Sequence, residues 1–221
     1  MYLILALAKR GFAFDRALHE GDFAIRESLR GMDIAGKSLL VIGFGRTGTR
    51  VARFARAFDM NVFVYDPYID QRSIAESDCI AVKSFLSVLP GMDVVSLHCP
   101  LTDETRGMIG AEALDAMKQS AYVINCARGG IVDEPALCRA LESRSVAGAG
   151  LDVFVREPLP GDDPLLAFDH VITSPHIAGV TGEASMRMAT GAAINILAAF
   201  DGTLDPAAVV NPEVLKLGSE A

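Results

Sequence analysis

Three glycines, one aspartate and three charged side chains in the second half of the sequence are the residues best suited to chemistry. Gly43, Gly45 and Gly48 stand in "VIGFGRTG" with the spacing GxGxxG, directly after an apolar run and at the head of an amphipathic one. In that setting the first glycine makes the turn, the second lets a pyrophosphate approach the backbone, and the third lets a helix pack tightly on a strand. Asp66 ends the next apolar run 23 residues after Gly43, where a carboxylate can take the two hydroxyls of an adenosine ribose. An anion there repels a 2′-phosphate, so the pattern favours NAD over NADP, and Arg72 lies too far past the run to reverse this. Similar glycine loops bind S-adenosylmethionine, so the reaction must be read from other residues. Arg128 in "INCARGGIVDE", Glu157 in "DVFVREP" and His176 in "SPHIAG" each follow an apolar run. An imidazole can pass a proton near neutral pH, a carboxylate can orient it and favour its protonated form, and a guanidinium can fork onto a substrate carboxylate. Those are the parts that oxidation of a 2-hydroxy acid requires.

The elements that must carry these residues alternate along the chain. "SLLVIGF", "NVFVYD", "DVVSLHCP", "AYVINC", "VAGAGLDVF" and "HVITSPH" read as strands, separated by helix-period segments such as "TGTRVARFARAF". In that helix the period places Val51, Phe54, Ala55 and Phe58 on one helical face. Apolar strands without alternation, separated by helices, imply a parallel sheet covered on both faces: a doubly wound, Rossmann-type α/β domain. Ligands of such sheets sit beyond the carboxyl ends of the strands, where Arg128, Glu157 and His176 fall. The chain is expected to form one NAD-binding domain over 1–221 with a core of about 34–180. The opening helix "MYLILALAKR", within 1–14, and the segment 181–221 stand outside the alternation, the latter containing a largely apolar helix from Glu183 to Phe200 and a turn-rich surface tail.

The 221 residues carry a net charge of -8 and no basic stretch longer than two residues, which argues against a nucleic-acid partner. The opening apolar run is too short to span a bilayer, and its positive charges follow it where a signal peptide's precede it. No membrane partner is expected. Cys79, Cys99, Cys126 and Cys138 include no CxxC pair and read as reduced cytoplasmic thiols, Cys126 as a small packed one. No His/carboxylate cluster has metal-ligand spacing. His98 is expected to be structural or ligand-adjacent, and His19 and His170 to be solvated.

The stretches "VIGFGRTG", "DVVSLHCPLTDETRGMI", "MKQSAYVINCARGGIVDEPAL", "AGAGLDVFVREPLP" and "HVITSPHIAGVT" together resemble the D-isomer-specific 2-hydroxyacid dehydrogenases, a family that includes phosphoglycerate dehydrogenases and hydroxypyruvate reductases. The resemblance implies an NAD-dependent enzyme acting on a small 2-hydroxy or 2-keto acid. In it Arg128 anchors the substrate, His176 exchanges the proton and Glu157 is its partner. It further implies that Asp152 touches the nicotinamide end and that Arg46, Thr47, Pro100 and Thr105 line the dinucleotide. Three departures stand out: Thr47 and Leu40 in and before the glycine loop, Phe23 where a tryptophan is usual, and no substrate domain ahead of the opening helix. That last departure leads us to expect a chain that folds and binds NAD(H) but turns over slowly, with "MYLILALA" and the closing helix leaving an apolar patch exposed. The resemblance also implies homodimers, for which the segment from Gly11 to Asp33 is the candidate contact. A second reading is an NAD(H)-sensing interaction protein like the C-terminal-binding-protein corepressors, which resemble the same family.

The carboxylate at the second strand end generates the first test. The chain should bind NADH well ahead of NADPH, and Asp66→Ala should narrow the gap by about tenfold, roughly the effect of ~1.4 kcal/mol. Calorimetric titration giving equal affinities for both cofactors in the unaltered chain would contradict the assignment.

Overall fold

A computed structural model describes residues 1–216, which divide into one unit from Met1 to His176 and a second from Ile177 onward. In the first unit, strands β1 (Ser38–Ile42), β2 (Asn61–Tyr65), β3 (Ile80–Ala81), β4 (Val94–Leu97), β5 (Tyr122–Asn125), β6 (Gly148–Leu151) and β7 (Val171–Thr173) form one sheet in the order β3-β2-β1-β4-β5-β6-β7. Every pairing is parallel. Its helices are α1 (Tyr2–Ala8), α2 (Gly11–His19), α3 (Ile25–Ser28), α4 (Gly48–Ala57), α5 (Gln71–Ala75), α6 (Phe85–Val88), α7 (Ala111–Ala116) and α8 (Glu134–Glu142). This is the doubly wound α/β architecture read from the sequence. The strand order reverses between β1 and β4, which places a crevice at their carboxyl ends.

Alternation within the strands divides the core in two. Leu40, Ile42, Val95, Leu97 and Val123 face one cluster with Leu114 and Leu137, while Leu39, Val41, Val94 and Ile124 face another with Ile4 and Val51. Helix α1 belongs to the second cluster: Leu3, Ile4, Leu7 and Ala8 are buried, and the helix packs on β5 and β6. The expectation that "MYLILALA" leaves an apolar patch exposed holds for the opposite face, where Tyr2, Leu5 and Ala6 line an open groove with Phe12. Tyr2 is its outward large side chain, 66% exposed.

Helix α4 buries only part of its apolar face. Its buried residues are Gly48, Val51, Ala52 and Ala55, whereas Phe54 and Phe58 are 46% and 43% exposed. A Cβ on Gly48 would stand 2.0 Å from the Gly43 carbonyl oxygen, so the helix rests on the glycine loop at that point. At ~100° per residue, Phe54 lies about 120° around the helix from Gly48, and the Arg53 guanidinium lies 5.2 Å from its ring centre. Strand β3, two residues at the sheet edge, escaped the sequence reading because so short a run shows no period.

The second unit contains α9 (Gly182–Phe200), capped by the Thr181 hydroxyl accepting the Ala184 N–H at 3.0 Å. Met186, Met188, Ile194, Ile196, Leu197 and Phe200 are exposed along it. No helix among the described residues is long and apolar enough to cross a membrane. The tail is turn-rich, with short 3-10 turns at Pro206–Ala208 and Pro212–Lys216; its end, 217–221, lies outside the described residues.

The loops after β5 and β6 meet where the core reaches the crevice. A Cβ on Gly129 would stand 1.9 Å from the Phe154 carbonyl oxygen, closer than any side chain allows without moving backbone. Gly129→Ala should destabilise the chain by about 3 kcal/mol, lowering its thermal midpoint by roughly 6–12 °C. Gly161→Ala, where the space is open, serves as control with a shift of no more than about 1 °C. Equal midpoints for the two variants in a calorimetric scan would contradict this packing.

Candidate active site

The glycine loop leaves β1 at Gly43, whose φ of 93° lies in the left-handed region and whose N–H donates to the Tyr65 carbonyl at 2.9 Å. Nothing comes within 4 Å of a Cβ built on Gly45, so the loop offers open space at the position where a pyrophosphate would approach. Asp66, at the end of β2, accepts the Phe44 N–H at 2.7 Å and the Tyr68 N–H at 2.9 Å. The carboxylate is thus tied to the loop it was expected to work with. Gly43, Gly45, Asp66, Pro100 and Thr105 line one cavity of about 480 Å³. Thr105 also builds its own wall, its hydroxyl donating to the Pro100 carbonyl at 2.7 Å and accepting the Thr102 N–H at 2.8 Å. Arg46 stays on the exposed turn and lines neither this cavity nor the next.

A second cavity of about 540 Å³ is lined by Thr47, His98, Cys99, Pro100, Cys126 and Arg128, and shares His98, Cys99 and Pro100 with the first. The His98 Nε2 lies 2.9 Å from the Ser96 hydroxyl, and burial lowers the imidazole pKa to about 4, which keeps the ring neutral. Cys126 is pushed up to about 11 by burial and then by the nearby Asp152 charge, so it is a thiol and no nucleophile, as expected of a packed sulfur. The residues present suit a dinucleotide: open space over Gly45, a carboxylate at the end of β2 facing the same cavity, and a continuous lining from the glycine loop to Arg128.

Beyond Arg128 the strand ends assemble the charged groups. Asn125, the last residue of β5, is buried and clamps the following loop, its amide donating to the Arg128 carbonyl at 2.9 Å and its oxygen accepting the Ala127 N–H at 3.0 Å. The Arg128 guanidinium is left exposed, with one bond to the Ala127 carbonyl at 2.6 Å. After β6, Glu157 accepts the Phe154 N–H at 3.0 Å with one oxygen and sits 2.8 Å from the His176 Nδ1 with the other. The hydrogen bond from His176 comes first, the Phe154 N–H next and the charges of His176 and Arg128 last in holding the Glu157 carboxyl below its ordinary value. His176 adopts a φ of 52°, uncommon for a residue with a Cβ, and its N–H donates to the Asp152 carbonyl at 2.8 Å. With Nδ1 engaged by Glu157, Nε2 is the ring nitrogen placed for chemistry. The pair opens on a cavity of about 640 Å³ walled by Phe154, Pro158, Leu159 and Pro175.

Asp152, implied by resemblance to touch the nicotinamide end, closes β6 between Asn125 and Ser174. It is 1% exposed, and its carboxylate accepts the Ser174 hydroxyl at 2.5 Å. Asn125, Ser174 and Glu134, which accepts the Val155 N–H at 2.7 Å, hold the site's loops and were not singled out in the sequence. Asn125 carried a signal: a polar residue closing the buried run "YVIN". Of the other histidines, His19 is exposed as expected. His170 is corrected: it is 7% exposed, its ring edge-to-face with Phe168 at 5.6 Å between centroids, and burial followed by the Arg144 charge lowers its pKa. Its carbonyl accepts the Ala149 N–H at 3.2 Å, which holds the residue against β6 beside Phe168.

The sequence profile of "D-isomer specific 2-hydroxyacid dehydrogenase, NAD binding domain" matches residues 1–178. The chain is 40% identical over 218 residues to a glyoxylate reductase of Korarchaeum cryptofilum, covering 97% of this chain and 65% of that protein. It is 42% identical over 186 residues to a D-3-phosphoglycerate dehydrogenase of Archaeoglobus fulgidus, covering 84% of this chain and 35% of that one. The crystal structure of a D-lactate dehydrogenase from Aquifex aeolicus, complexed with NAD and lactic acid, superimposes with a TM-score of 0.83 at 33% identity, over 91% of this chain and 65% of that one. The chain thus spans about two thirds or less of the length of these relatives. The profile covers most of the chain, which belongs to the D-isomer-specific 2-hydroxyacid dehydrogenase family, as its NAD-binding domain.

Proposed function

We propose that this chain works in an NAD(H)-dependent oxidoreductase that interconverts a D-2-hydroxy acid and its 2-keto acid. The observation that carries the reading is the Glu157–His176 pair, 2.8 Å apart, at the same edge of the sheet as the glycine loop and within electrostatic reach of Arg128. Gly43, Gly45, Gly48, Thr47 and Asp66 would hold the dinucleotide, with Pro100 and Thr105 lining its path and Arg46 on the outer turn. When bound, the nicotinamide supplies or accepts the hydride. Asp152, buried behind the nicotinamide end, supports that wall through Ser174 and His176.

The chain's own residues do the rest. Arg128 forks onto the carboxylate of the acid and fixes its carbonyl. His176 gives a proton from Nε2 to the carbonyl oxygen in reduction and takes it back in oxidation. Glu157 holds the ring through Nδ1 and offsets the charge that the ring carries when protonated. Its lowered carboxyl keeps it ionised at neutral pH, and that support is lost only as the pH falls through the lowered value. Glyoxylate is the first acid to test, from the names of relatives that match 97% of this chain. Free thiols at all four cysteines suit a reducing cytoplasm. Phe12, Leu18 and Phe23 are exposed on the segment from Gly11 to Asp33, which supports it as a contact between two copies.

In steady-state assays with NADH and glyoxylate, His176→Ala should lower kcat by about 10²–10⁴-fold while leaving the NADH dissociation constant within about twofold. Arg128→Ala should raise KM for the keto acid by about tenfold or more, with some loss of kcat from misorientation. Ordinary kinetics in both variants would contradict the reading.

A further inference from the structure

Two loops meet over the adenosine end of the cofactor crevice. Tyr68, just past β2, donates its hydroxyl to the Glu104 carboxylate at 2.7 Å, and Glu104 belongs to the loop after β4, 36 residues away in sequence. Both side chains line the 480 Å³ cavity that also contains Asp66. The same tyrosine donates its N–H to the Asp66 carboxylate at 2.9 Å. One residue therefore positions both carboxylates, through its backbone for Asp66 and through its phenol for Glu104. The hydrogen bond to Glu104, and then its charge, raise the Tyr68 pKa, so the phenol remains a donor.

The charge inventory of this cavity is one-sided. Its lining includes Asp66 and Glu104 but no lysine or arginine, and its histidine, His98, is kept neutral by burial. A cofactor with a phosphate on the adenosine ribose would bring about two further negative charges into a wall that offers no cation. Asp66 is tied to the glycine loop and meets the ribose directly. Glu104, on the opposite lip, acts across open solvent, where an unpaired side chain would swing away from the incoming charge. The bond from Tyr68 prevents that escape.

We propose that Glu104, fixed by Tyr68, is a second selectivity-determining residue of this cofactor site, excluding a 2′-phosphorylated dinucleotide by charge. The inference rests on the family's dinucleotide occupying this crevice, and it adds a group to the discrimination expected of Asp66. Glu104→Gln removes the charge while keeping an oxygen that can accept the Tyr68 hydroxyl, so the lip retains its shape. Tyr68→Phe keeps the charge but releases it.

The test is calorimetric titration of the full chain with NADH, with NADPH measured by its displacement of bound NADH. At low salt, Glu104→Gln should tighten NADPH binding by about three- to tenfold and leave NADH within about twofold. That gain should fade in ~0.5 M salt, since both charges face solvent. Tyr68→Phe should give a smaller gain, and the double variant no more than Glu104→Gln alone, because the two residues act as one unit. A merely structural role would weaken both cofactors together and leave their ratio unchanged. An unchanged ratio in Glu104→Gln, with NADH binding intact, overturns the inference and leaves the proposed function standing. Failure of the unaltered chain to bind NADH at all would overturn the cofactor reading, and this inference with it.

Discussion

Asp152 ties the ends of three strands together, and the geometry of the candidate site depends on that tie. Its N–H donates to the Asn125 carbonyl of β5 at 2.9 Å, its carboxylate accepts the Ser174 hydroxyl just past β7 at 2.5 Å, and its carbonyl accepts the His176 N–H at 2.8 Å. A carboxylate this deeply buried is tolerated only where strong donors face it. The register of β5, β6 and β7 therefore cannot slip without stranding that charge. Arg128 and His176 inherit their positions from the same arrangement, Arg128 through the Asn125 clamp and His176 through its N–H.

A second constraint acts at the other end of the crevice, where backbone meets backbone. A Cβ on Gly43 would lie 2.6 Å from the Cys99 nitrogen, so the glycine loop and the loop after β4 are pressed together without side chains between them. His98 is caught at this junction, neutral and partnered by Ser96. The crevice thus has an acidic end at Asp66 and Glu104, a neutral waist at His98, and a basic group at Arg128. A dinucleotide with a plain ribose at one end and a carboxylate substrate at the other matches that sequence of charges.

Much of this was legible in the sequence because the signals were local. Strands buried on both faces read as apolar runs, and GxGxxG followed by Asp66 places the turn and the carboxylate beside it without any knowledge of the sheet. Arg128, Glu157 and His176 stood out as charges at strand ends. Features made by pairing distant segments were not legible. The rotation of α4, which exposes Phe54 and Phe58, is set by contact between Gly48 and the Gly43 carbonyl, and periodicity alone admits both faces. The burial of α1 depends on β5 and β6, more than a hundred residues later. The bonds that Asn125, Asp152 and Ser174 make belong to residues of different strands, and no spacing in the chain announces them.

In the proposed reaction the groups gathered at these strand ends direct hydride to the C2 carbonyl carbon of a 2-keto acid. Incubation of the chain with NADH carrying deuterium at the transferable C4 position, followed by mass spectrometry of the acid product, detects transfer even when turnover is slow. The account predicts one deuterium at C2 of a D-2-hydroxy acid, lost when His176 is replaced by alanine. Saturating NADH binding with no deuterium delivered to glyoxylate, pyruvate or hydroxypyruvate would contradict it.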